Sequence, residues 1–121
     1  AVVPATVAEH DATYALTYLD FAGGRLAVPR HDLAPGTPVR VGIHARDVSL
    51  CREQPTASSI LNILPATVTD LSTEGETTVV VRLAVGDVAL LARITRKSRD
   101  ELGLEPGIGV YAQIKSAALA R

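Results

Sequence analysis

The chain has 121 residues, with 12 Lys and Arg against 13 Asp and Glu and a formal net charge of -1 at pH 7. That balance argues against a surface that neutralises a phosphate backbone, and an aromatic content of 3% with no Trp argues against a base-stacking platform. Hydrophobic residues make up 47%, enough for a packed core, yet no apolar run approaches the roughly 20 residues needed to span a bilayer.

In chain order, Ala5 to Glu9 reads as a first strand after Pro4, with a turn at His10-Asp11. Ala12 to Phe21, ATYALTYLDF, carries apolar residues on both faces and predicts a long strand covered on both sides. Gly23-Gly24 makes a hairpin turn into Arg25 to Val28. After a loop at Pro29 to Asp32 and a turn at Pro35-Gly36, Val39 to Ala45 alternates with Val39, Val41 and Ile43 inward, and Val48 to Leu50 follows. Cys51 to Ala57, CREQPTA, is linker-like and divides the chain near its middle. Its cysteine is the only one, which excludes an internal disulfide and argues against a metal cluster. Beyond the linker, Ser58 to Leu64, Pro65 to Ser72, Thr77 to Val85 and Val88 to Thr95 predict further strands, with turns at Thr73 to Glu76 and Gly86-Asp87.

Ser98 with Glu101 three residues on is a capping-box spacing and predicts one short helical turn. Gly103 supplies a positive-φ stop and Pro106-Gly107 a tight turn. Val110 to Lys115 then re-enters a strand, and Ala117 to Arg121 closes the chain. The count, about ten short strands and one helical turn, predicts an all-β protein of antiparallel barrels or a sandwich.

The halves resemble each other. Pro4-Ala5-Thr6-Val7 is matched by Pro65-Ala66-Thr67-Val68, and Leu33-Ala34-Pro35-Gly36 by Leu104-Glu105-Pro106-Gly107. In register with those turns, Val39 and Ile43 answer to Val110 and Ile114, which sets His44 in the slot of Lys115. A duplicated small β-barrel unit is the expectation, with 1–57 as the first OB-like unit and 58–121 as the second.

Hydroxyls and ammonium groups collect at two strand exits, Thr95, Lys97 and Ser98 at one and Lys115-Ser116 at the other. Such a set suits a small oxyanion, although the same residue types are the ordinary vocabulary of solvated strand ends. His44 reads either as the trace of a second site or as an exposed strand histidine. No phosphate-binding GxxxxGK[ST] loop, GxSxG elbow or HExxH pair is present, so the chain itself is expected not to be an enzyme, and neither His10 nor His31 has a metal-ligand pattern.

SSILN at Ser58 to Asn62, then ARIT, DELGLEPG and VYAQIKS, resembles the molybdate-binding Mop module of small oxyanion-binding proteins. VAEHDATYALTYL and IHARDVSL in the first half resemble the segment preceding that module in the C-terminal TOBE/Mop region of the ATP-binding subunits of bacterial molybdate ABC importers. The resemblance implies two OB-like barrels and a regulatory domain that binds molybdate or tungstate as ligand, with no organic cofactor and no resident metal. It implies Ser59, Asn62, Lys115 and Ser116 as oxyanion ligands, with Ser58, Thr95 and Ser98 supporting. It also implies a homodimer, an ATPase domain and membrane subunits as partners in a longer parent chain, of which a start at Ala1 reads as a piece. The implied location is cytoplasmic, at the inner face of the membrane, without direct insertion. One departure matters: Leu61 stands where many such modules carry Arg, which removes a fork of donors suited to a tetrahedral dianion. A structural dimerisation module without ligand, or a stand-alone molybdate storage protein, are the alternative readings.

Overall fold

The computed structural model describes residues 1–120. Arg121, the last residue of the expected closing segment, lies outside them. Ten strands follow in order: β1 Val2–Asp11, β2 Leu16–Phe21, β3 Gly24–Pro29, β4 Pro38–Gly42, β5 Val48–Cys51, β6 Asn62–Glu74, β7 Thr78–Val85, β8 Val88–Thr95, β9 Gly109–Ile114 and β10 Ala118–Ala120. One helix, α1 Arg96–Leu102, and one 3-10 turn, Ala45–Asp47, complete the chain.

These strands form two antiparallel sheets of five, ordered β10-β4-β1-β2-β3 and β5-β9-β6-β7-β8. Both orders are the same path, a fifth strand followed by the fourth, first, second and third of a unit. In each case the fifth strand comes from the other half: β10 closes the edge of the first sheet, and β5 closes the edge of the second.

The likeness of the two sheets extends to irregularities. Register shifts once in β1 between Val7 and Glu9 and once in β6 between Val68 and Asp70, so each first strand carries a bulge at the same place. Val7 donates to Thr37 O and accepts from the Gly36 amide, while Val68 donates to Ile108 O and accepts from the Gly107 amide. Val7 faces Leu19 and Leu19 faces Leu26 in one sheet, as Val68, Leu83 and Leu90 do in the other. All six side chains are essentially fully buried, and each Leu contributes about 1.5–3 kcal/mol by leaving water. Where the hairpin turns of the two halves meet, only glycine fits. A Cβ on Gly86 would lie 2.6 Å from Ala22 O, and one on Gly23 would lie 2.7 Å from Val85 O.

Several local expectations are corrected. Residues 12–15 turn rather than extend, because Asp11 Oδ1 accepts the Tyr14 amide at 3.1 Å and Ala15 takes φ 54; Tyr14 is left 74% exposed. Strand β2 is consequently buried on one face only, through Thr17 and Leu19. The end of the expected strand Val39 to Ala45 is instead the start of the 3-10 turn. The two strands expected between Ser58 and Ser72 are one, since Pro65 faces solvent and interrupts nothing. The helix runs seven residues, and its cap is Thr95, whose hydroxyl oxygen accepts the Ser98 amide at 3.0 Å. Ser98 sits inside the first turn, and Glu101 pairs with Lys97 at 3.7 Å, so the capping box does not form. Gly103, at φ 63, is the expected left-handed stop.

Candidate functional site

Two polar side chains are buried among the described residues, Thr17 and Asn62, and both serve the same wall. Asn62, the first residue of β6, turns its amide onto the edge of β3. Its Oδ1 accepts the Ala27 amide at 2.7 Å and its Nδ2 donates to Ala27 O at 2.9 Å, imitating a strand neighbour. One Nδ2 hydrogen remains for another acceptor. Thr17, on β2, holds the segment that leaves β3: its Oγ1 accepts the His31 amide at 3.0 Å. That oxygen also lies 2.9 Å from His10 Nδ1, and His10 Nε2 lies 2.6 Å from Leu33 O. Because a carbonyl only accepts, Nε2 carries the proton, and in the neutral ring the Thr17 hydroxyl donates to Nδ1.

Between these anchored segments and the link from β9 to β10 lies a cavity of about 320 Å³, walled by Ala27, Pro29, His31, Asn62, Lys115 and Ser116, with Ala117 and Ala118 closing it. Lys115 is fixed at its backbone, where its amide donates to Asp47 O at 2.7 Å, while its side chain stays in the exposed class. The lining offers an ammonium, an imidazole, a hydroxyl and an amide, and no carboxylate. Such a donor set attracts anions, and it has enough room for about ten waters at roughly 30 Å³ each, so an anion can enter with part of its hydration.

Of the seven residues expected from sequence, Asn62, Lys115 and Ser116 meet here. Ser58 and Ser59 lie on the exposed stretch before β6, where Ser58 Oγ accepts the Ile60 amide at 3.1 Å. Thr95 and Ser98 lie at the start of α1, hydroxyl to hydroxyl at 3.0 Å. Thr95 lines a separate hollow of about 510 Å³ with Arg96, Lys97, Asp100 and Glu101, where carboxylates balance the cations. His31 was not among the expected ligands. No sequence signal marks it: its equivalence to Thr95 emerges only from the strand pairing, in which Leu26 faces Leu19 and Leu90 faces Leu83.

Leu61, in the place of the missing Arg, is 67% exposed beside Asn62. A larger, mostly apolar groove of about 670 Å³ adjoins the cavity, sharing His31 and lined by Leu33, Val39, Arg40 and Leu119. Burial pushes the Cys51 thiol up, so it stays protonated near neutrality, where it packs on Tyr111 O and the Gln113 amide. Among the described residues no group of three or more His, Cys, Asp or Glu is placed to hold a metal ion. No helix among them is long and apolar enough to cross a membrane.

A family model described as TOBE domain matches residues 58–120. The molybdenum import ATP-binding protein ModC of Albidiferax ferrireducens is 51% identical over 119 residues, covering 98% of this chain and 32% of that protein. ModC 1 of Azotobacter vinelandii is 49% identical over 120 residues, covering 98% of this chain and 33% of its own length. The chain thus spans about a third of the length of the curated relatives it matches. Among solved structures, the cytoplasmic molybdate-binding protein ModG, crystallised with molybdate bound, superposes with a TM-score of 0.81 at 27% identity, covering 99% of this chain and 94% of that one.

Proposed function

This chain belongs to the TOBE domain family, and on that premise we propose that it is the molybdate-binding regulatory domain of the ATP-binding subunit of a molybdate importer. One observation carries the reading. The adjacent Lys115 and Ser116 and the sequence-distant Asn62 line a single cavity without carboxylates, in a chain about half identical to molybdenum import ATP-binding proteins. Molybdate and tungstate are dianions with four acceptor oxygens, and they need several fixed donors and one or two positive charges. Lys115 supplies the charge, the Ser116 hydroxyl and the spare Asn62 hydrogen supply donors, and Ser59 and Ser58, outside the cavity lining, precede Asn62 on the exposed stretch as further donors in this proposal. Thr95 and Ser98, remote from this cavity, are supporting residues of the helix rather than ligands in this proposal.

The parent's ATPase domain, its membrane subunits and a second copy of this domain are the proposed partners, at the cytoplasmic face of the membrane. Units 1–57 and 58–121 are the proposed duplicated pieces, each lending its last strand to the other's sheet. Regulation requires that oxyanion affinity differ between transporter states, because a ligand shifts an equilibrium only by its differential affinity.

Calorimetric titration with molybdate, tungstate and sulfate, run on the natural chain and on Lys115→Ala, tests the assignment. Binding of the first two but not of sulfate, weakened at least tenfold in the variant, is the expected result; no heat from any of them in the natural chain would defeat it. The exposed Leu61 beside the site favours a second reading, a dimerisation module without ligand, which that negative result would support.

A further inference from the structure

We infer that His31 is a further anion contact of the Lys115 cavity and makes oxyanion affinity depend on pH. The inference rests on the reading of that cavity as the oxyanion site. Its ground is the use of buried polar groups. A threonine with no solvent exposure costs stability unless its hydroxyl is employed, and Thr17 employs it on the His31 amide. The other buried polar side chain, Asn62, fixes Ala27 four residues earlier. These contacts hold the two ends of the 27–31 wall, and at its end His31 makes its hydrogen bonds through its backbone, with its residue lining the cavity. The second half has no counterpart. Val81, paired with Ala92, stands where Thr17 pairs with Val28, and it holds nothing.

An imidazole ordinarily titrates near 6.5, between the ranges of carboxylates and ammonium groups. Protonated, it adds a second positive charge and a charged donor beside Lys115; neutral, it adds only a weak donor or an acceptor that repels oxygen. A bound dianion favours the charged ring, so affinity is full below the free ring's titration and declines as pH rises through it. Several other charges face His31. Arg30 and Asp32 flank it in the chain and pair with each other at 3.3 Å. Lys115 shares the cavity, and Arg40 on β4 shares the adjoining groove. His10 on β1 reaches it through Thr17. Protonation of His10 turns the Thr17 hydroxyl toward His31 O, at 3.5 Å, and leaves the His31 amide contact in place. Lysine, arginine and aspartate ordinarily titrate outside the range in which imidazole does, so a slope near neutrality is the signature of an imidazole.

The test is molybdate affinity, by calorimetry, from about pH 6 to about pH 8.5, a span that brackets histidine titration while the ligand remains a dianion. The natural chain is expected to bind about tenfold more weakly at the upper end, the change that a shift of one pKa unit produces. His31→Gln is expected to bind with little slope, at an affinity near the natural chain's high-pH value. His10→Gln and His44→Gln are expected to keep the slope. A slope unchanged in His31→Gln, absent in the natural chain, or lost only in His10→Gln would overturn the inference while leaving the site reading intact. An absence of molybdate binding at every pH would instead remove the site reading and this inference with it.

Discussion

In the first sheet the exit from β3 is open onto a cavity without carboxylates, and in the second the exit from β8 is taken up by α1 beside a hollow whose charges balance, although the two sheets are built on the same strand order, the same bulge and the same leucine pairs. In the first, β3 runs into an irregular stretch that carries His31 past Lys115 and Ser116. In the second, β8 runs into α1, and the 3-10 turn at Ala45–Asp47 packs against β8. Thr17 is answered by Val81, His31 by Thr95 and Lys115 by His44. The two halves therefore share what makes a barrel, the apolar alternation and the turn geometry. They differ in polar groups, at the exposed Lys115 and His44, which carry little packing constraint, and at the buried Thr17, whose hydroxyl is employed where Val81 has none to satisfy.

Three perturbations break or sharpen this contrast. The largest concerns what the halves share. Leu19→Ala and Leu83→Ala remove equivalent, fully buried side chains, and each is expected to cost roughly 2–5 kcal/mol in chemical denaturation. Costs within about 1 kcal/mol of each other would confirm common cores; a wide gap would mean that one half dominates stability. Next comes Asn62→Ala, which acts at the open exit of β3. It strands the Ala27 amide and carbonyl at the β3 edge, an expected loss of about 1–3 kcal/mol, with weaker molybdate binding measured in the same samples. Asn62→Ala with unchanged stability would mean that water replaces the amide at no cost. The smallest belongs to the exit from β8. Thr95→Ala removes the helix cap and is expected to cost about 1 kcal/mol, whereas Ser98→Ala costs a few tenths at most and neither alters ligand affinity. The reverse order in thermal melts would restore the Ser98 capping box.

The repeat was legible because its markers are local. Pro-Ala-Thr-Val opens each first strand, a Pro-Gly turn precedes each fourth, and Thr78–Val85 alternates too regularly to be anything but a strand. The tight turn at 12–15 was hidden, since nothing in Ala-Thr-Tyr-Ala announces a positive φ at Ala15; the Asp11 carboxylate that secures it lies just upstream. The helix cap was misassigned by three residues because Thr95 and Ser98 are both good caps, and the end of β8 decides between them. For the site, Lys115 and Ser116 were legible through their family pattern. Asn62's hold on Ala27 was not, because it bridges 35 residues, and sequence spacing says nothing about which strand edge an amide will meet. His31 was passed over for the same reason: its importance lies in Thr17, buried on a neighbouring strand.

The crossed fifth strands also set a timetable. Residues 1–57 leave the ribosome ahead of residues 58–120, and the first sheet then lacks β10, which forms from Ala118–Ala120. Its β4 edge waits uncovered, with Arg40, Val41 and Gly42 unpaired on that side, while β5 has no second sheet to join until β9 emerges. Neither sheet can be completed until strands from the other half have emerged, so the two sheets are coupled in folding through β5 and β10. Ala118–Ala120 thus act as the latch on a sheet otherwise built from residues more than 70 positions earlier.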